Sequence, residues 1–192
     1  MTDDALQHPK LFHFLLSLDD DLAARARVKG CTFCGGVLHS ARYPRTPRGG
    51  PLALEGTPTM RHSFCCESCR RRTTPPSVRF LGRRVYPGFI MVLLSAMQSG
   101  VTDPLVAELR AAIGVTRRTL QRWRHWWREI FIHTALWRYE QGNFMPTIDV
   151  AALPLSLLER FVSGDGRTRI VHLLRFLMPI SVPGGFNLHE GR

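Results

Sequence analysis

Two short stretches, Cys31-Thr-Phe-Cys34 and Cys66-Glu-Ser-Cys69, constrain this chain more than any other feature of its sequence. A C-x2-C turn aims two thiolates at one point, and two such turns supply the four ligands of a closed tetrahedral Zn2+ site. Gly35 and Gly36 follow the first pair directly. Glycine there relieves the positive-φ strain at the end of the turn and lets backbone N–H groups approach the sulfurs. Thirty-one residues separate Cys34 from Cys66, more than the roughly 15–20 of the common spacing. A Pro/Gly-rich loop over residues 44–60 absorbs the excess. The expectation is a zinc ribbon of short antiparallel strands with an extended hairpin arm, its Zn2+ held by Cys31, Cys34, Cys66 and Cys69. "FCCESC" also offers Cys65 as the third ligand, and His62 and His39 lie within plausible reach. The x2 spacing favours Cys66.

A metal there has a structural task. About 50 residues with few large apolar side chains do not build a core without a staple. A redox dithiol would call for a βαβ setting, and a catalytic metal for an open ligand position. The sequence suggests neither. The N-terminus lacks the basic lead and small-residue cleavage site of a signal peptide. The longest apolar run, "GFIMVLLSAM", is about half of the ~20 residues that span a bilayer. The expected location is therefore cytoplasmic and nucleoid-associated, with no membrane partner, and there five cysteines serve as ligands or thiols rather than as a disulfide frame.

The formal charge is +11 and the pI about 10.6, which points to a polyanionic partner. The excess sits in mid-chain: residues 42–128 carry sixteen arginines against Glu55, Glu67, Asp103 and Glu108. Arg70, Arg71 and Arg72 follow the second cysteine pair at once, and Arg79, Arg83 and Arg84 come soon after. Anchored beside a rigid turn, they suit phosphate contacts better than a merely solvated face.

Upstream of the cysteines, residues 8–30 read as one or two short helices. Leu11, Phe14, Leu15 and Leu18 form their stripe, Asp19–Asp21 offer a cap, and Gly30 stops them. From Pro87 onward the texture is helical. A first helix over 85–98, a second from Thr-Asp-Pro to Gly114 and a third opening at the N-cap Thr116 compose a trihelical helix-turn-helix unit. The third helix runs without a breaker to Gly142 and places Leu120, Trp123, Trp127 and Ile130 at core spacing. Its opposite face carries Arg118, Gln121, Arg122 and His125, with Arg117 and Arg128 on the shoulders. Long cationic and amide side chains suit guanine and adenine edges in the major groove. Two short helices and a loose tail, "SVPGGFNLHEGR", complete the chain.

"CTFCGG", "CCESCRRRTTPPSVRFLGRRVY" and "IGVTRRTLQRWRHWW" together resemble zinc-ribbon plus helix-turn-helix proteins and the N-terminal modules of transposases of bacterial mobile elements. The similarity covers roughly residues 31–130. It implies that the four thiolates hold zinc and that Arg118, Gln121 and Arg122 read element ends or a promoter. The fold class is then α+β, in four parts: a helical segment to residue 30, the ribbon and its basic tail (31–84), a helix-turn-helix domain (85–141) and short C-terminal helices (142–192). The expected function is sequence-specific binding of double-stranded DNA, as an accessory of transposition or as a transcriptional regulator. A transposase or other recombination protein and a second copy of the chain, in a homodimer, are the expected protein partners. The carboxylates after residue 128 are too few and too closely spaced for a two-metal catalytic domain, so no enzyme is expected. An RNA-binding module, or an adaptor docking a partner through its terminal helices, are the competing classes.

Overall fold

The computed structural model describes residues 9–45, 59–80, 103–113, 115–162, 164 and 166–182. Arg83 and Arg84, the expected helix over 85–98, Gly114 and the tail beyond residue 182 lie outside these.

The architecture is mixed helix and short antiparallel strands. Helix α1 (Pro9–Lys29) is one continuous element of 21 residues rather than two. Gly30 ends it at φ 77° and donates its N–H to the Arg27 carbonyl, the left-handed close that glycine adopts without a Cβ penalty. The buried stripe of α1 runs Leu15, Asp19, Ala23, while Phe14 is exposed. Asp19 therefore caps nothing. It sits on the inner face of the helix.

Two small sheets follow. In the first, β1 (Leu38–Ser40), β4 (Phe64–Cys66) and β5 (Arg72–Thr73) are antiparallel in the order β1-β4-β5, with Leu38 opposite Cys66 and Phe64 opposite Thr73. The second pairs β2 (Tyr43–Arg45) with β3 (Thr59–Arg61), Tyr43 facing Arg61. The long spacer between the cysteine pairs thus leaves the first sheet as a hairpin arm, and its base, which the sequence placed mostly within the loop over 44–60, is strand.

Among the described residues, the helices after the sheets start with α2 (Asp103–Ile113) and α3 (Arg117–His125). Thr116 caps α3 as expected: its backbone is extended and its hydroxyl accepts the Thr119 N–H. The helix does not continue to Gly142. A π-helical turn over Trp126–Ile130 passes through a short 3-10 turn to Thr134, whose extended backbone (φ −69°, ψ 150°) breaks the chain direction. Thr134 in turn caps α4 (Ala135–Glu140) by accepting the Trp137 N–H. The π turn explains why Ile130 is exposed. Its extra residue per turn moves the apolar stripe from Trp127 to Phe131, which is fully buried.

After α4 come α5 (Leu155–Leu158) and α6 (Gly166–Leu177). The main core gathers Leu15, Val78, Leu120, the tryptophans at 123, 126, 127 and 137, Leu157, Leu173, Leu174 and Leu177. It is shared across stretches that composition would separate. Trp137 and the C-terminal leucines are buried in it. A second, smaller cluster joins Ala23 to Cys31, Leu38, Phe64 and Cys66. Helix α1 contributes to both.

Candidate metal centre

Cys31 comes one residue after the glycine that ends α1, so the first turn is held by the helix itself. The Gly35 N–H bonds the Cys31 carbonyl at 2.8 Å, and the Cys31 N–H returns to the Gly36 carbonyl at 2.9 Å. The second turn copies the first: the Arg70 N–H bonds the Cys66 carbonyl at 3.1 Å. Gly35 (φ 73°) and Arg70 (φ 58°) occupy the same left-handed position in the two turns. Arg70 is thus a side-chain-bearing residue where the first turn uses glycine, at a cost of about 1–2 kcal/mol.

The four sulfurs of Cys31, Cys34, Cys66 and Cys69 lie within 4.8 Å of one another. Cys31 Sγ is 3.6 Å from Cys69 Sγ, and Cys34 Sγ is 3.5 Å from Cys66 Sγ. A tetrahedron with metal–sulfur bonds of about 2.3 Å has sulfur–sulfur edges of about 3.8 Å, so the donor set fits a metal ion held by four thiolates. Gly36 is part of that fit. A Cβ there would stand 2.9 Å from Ser68 Oγ, 3.0 Å from Cys66 Sγ and 3.3 Å from Cys34 Sγ.

Strand alternation decides between the adjacent cysteines. Cys66 points inward beside Leu38 and Phe64. Cys65, on the other face of β4, reaches only the Arg70 carbonyl (3.5 Å) and the Cys66 carbonyl (3.8 Å). The histidines are engaged elsewhere: His62 Nε2 lies 2.7 Å from Asp20 Oδ1, and His39 Nε2 lies 3.4 Å from Glu67 Oε2.

Backbone dipoles prepare the sulfurs. N–H groups of Cys69 and Ser68 and the Cys34 thiol outweigh burial and hold the Cys66 thiol down at about 6. The N–H of Phe33 leads a similar lowering at Cys31. Cys69 behaves oppositely. The Arg71 N–H favours its thiolate, but burial and the three neighbouring sulfurs push it up to about 12. One proton is therefore left for a metal to displace there. A bound metal would cross-link the end of α1, β4 and the turn into β5, and would supply folding free energy rather than chemistry.

Helix α1 holds this unit from the other side. The buried Asp19 carboxylate accepts from Ser77 Oγ (2.6 Å), Val78 N (2.8 Å) and Arg79 Nε (2.8 Å). Arg79 also donates to the Met60 carbonyl, and Arg61 to the Pro75 carbonyl at 2.7 Å. The two guanidiniums stand 5.0 and 5.8 Å from the centre of the Phe80 ring. Burial holds Arg61 below the usual guanidinium range, against the favourable charge of Asp19. Arg79 is therefore a buried staple and is closed to phosphate, contrary to expectation. Sequence reasoning missed this network, although an aspartate in register with Leu15 and Ala23 is its visible sign.

The other described residues expected to contact DNA fall into two exposed groups. Arg70, Arg71 and Arg72 leave the second turn, with Arg71 standing 4.6 Å over the Phe33 ring. Arg117, Arg118, Gln121, Arg122, His125 and Arg128 are exposed on and just after α3, opposite its buried Leu120 and Trp123. Arg117 is paired with Asp103 at the start of α2, and Arg122 donates to Thr119 Oγ1. No helix among the described residues is long and apolar enough to cross a membrane. Comparison with protein-family models, curated proteins and solved structures returns no match. What fold and site define is thus an α+β protein organised on a four-cysteine centre that fits a metal ion.

Proposed function

We propose that this chain is a zinc-stabilised, sequence-specific binder of double-stranded DNA that serves transposition or transcription. The observation that carries it is the division of α3. One face is pinned to the core by Leu120, Trp123 and the aromatic cluster behind them, and the other exposes Arg118, Gln121, Arg122 and His125 without a carboxylate among them. Rigid cationic and amide side chains on one helix are what base readout in a major groove uses. The short link from α2 to α3 fits a helix-turn-helix, and Arg70–Arg72 fit a phosphate clamp beside a zinc ribbon. Zinc is the occupant that a closed set of four thiolates favours, with a single iron as the alternative metal.

The test is selection of bound duplexes from a random DNA pool by the zinc-loaded protein, beside an Arg118→Ala/Gln121→Ala/Arg122→Ala variant. Convergence on a motif that the variant loses is expected. Retention without convergence, or a variant that selects as well as the parent, would remove base readout from α3. Elemental analysis should find one zinc per chain.

A further inference from the structure

A second feature lies on the side of the cysteine module that faces α1. A groove of about 510 Å3 runs between the last two turns of α1, the first cysteine turn and the segment from Arg72 to Pro76. Its size is that of a small-ligand site. Arg25, Lys29 and Arg72 line it, no carboxylate does, and none of the three makes an ion pair among the described residues. Leu22, Ala26 and Pro75 form apolar wall, and the hydroxyl-bearing Thr32 and Thr74 interrupt it. Phe33, 57% exposed, belongs to the same lining.

We propose that this groove holds an unpaired nucleotide of a single-stranded nucleic acid, its phosphate among Arg25, Lys29 and Arg72 and its base on Phe33 and the apolar wall. The inference rests on the nucleic-acid reading above and adds a second site to it. A duplex turns its charged backbone outward and keeps its base faces stacked inside, so it has nothing to lay against Leu22, Ala26 and Pro75. An unpaired nucleotide presents an anion and an apolar face together, the combination used by aromatic platforms set in cationic grooves. Both walls adjoin cysteine turns, Gly30–Phe33 the first and Arg72 the second, so metal binding would assemble the groove.

The test measures fluorescence anisotropy of a labelled oligothymidylate of about eight nucleotides on the full, zinc-loaded chain. Duplex from the selection is measured in parallel. Phe33→Ala, and separately Arg25→Ala/Lys29→Ala, alter exposed side chains and leave the core intact. Each is expected to weaken the single strand by about tenfold or more and leave the duplex within about twofold, while the α3 triple variant does the reverse. The proposal is overturned if the groove variants leave single-strand binding unchanged or weaken both ligands alike. It is equally overturned if a polyglutamate peptide displaces the strand at equal concentration, which would mark the groove as a site for acidic peptides. Failure of the duplex reading shows separately, as a duplex indifferent to the α3 triple variant.

Discussion

At the scale of single residues, the two cysteine turns are a matched pair with one mismatch. Arg70 carries a side chain in the left-handed position that Gly35 fills in the first turn. Arg70→Gly should therefore raise stability by about 0.5–1 kcal/mol, the relief of αL strain less the larger entropy that glycine loses, as read by chemical denaturation of the metal-loaded protein. Gly36 is the reverse case, because space rather than φ excludes any other residue. Gly36→Ala would drive a methyl against two ligand sulfurs and Ser68. Metal affinity should fall about 10- to 100-fold, as for other changes just outside a metal's ligands, measured by competition with a chromogenic chelator. The choice of Cys66 over Cys65 is also a residue-scale matter, decided by the period-two alternation of β4.

At the scale of elements, α1 is the part whose role was least legible. Read alone, Asp19–Asp21 look like a cap. In the fold, Asp19 is the carboxylate buried with Arg61 and Arg79 among the described residues, facing Arg79 directly while Arg61 lies close by. Asp19→Asn would leave the Arg79 guanidinium buried without its counter-charge, and a loss of about 3–5 kcal/mol is expected, visible as a lowered denaturation midpoint. The same logic shows why the long third helix of the sequence reading ends early. Leu120, Trp123 and Trp127 keep a helical period. Continuing it would have put Ile130 in the core, where the larger Phe131 packs at 4.9 Å from Trp127. The π turn lets the larger ring in, and Thr134 then starts a new helix.

For the whole molecule, the cysteine centre and the main core are linked through α1, which lends Leu15 to one hydrophobic cluster and Ala23 to the other. Removal of metal by a chelator should unfold the cysteine-bearing sheet while helical circular dichroism from the tryptophan core largely persists. Protons compete for the same sulfurs. Cys66, held at about 6 against an ordinary 9.0, favours the folded site above 9.0 and withdraws that contribution as pH falls through about 6. Cys69, raised to about 12, must give up a proton to the metal. Metal affinity should therefore fall more steeply with acid below about 6, where Cys66 too must give up a proton to bind, followed with a zinc-sensitive dye. Truncation after residue 144 should abolish the folded state altogether, read by loss of cooperative thermal unfolding, because Leu157, Leu173, Leu174 and Leu177 complete the core around the tryptophans.

The clustering of the four cysteines, the cap at Thr116 and the exposed cationic face of α3 were legible in the sequence because each depends on local rules: turn geometry, a capping hydroxyl, a helical period. The partners of Asp19, the burial of Arg61 and Arg79, and the groove between α1 and the first cysteine turn depend on segments about 40 to 60 residues apart in the chain meeting in space. No local period encodes such a meeting. It is decided by which surfaces the chain can bury together, and so belonged to the tertiary structure alone.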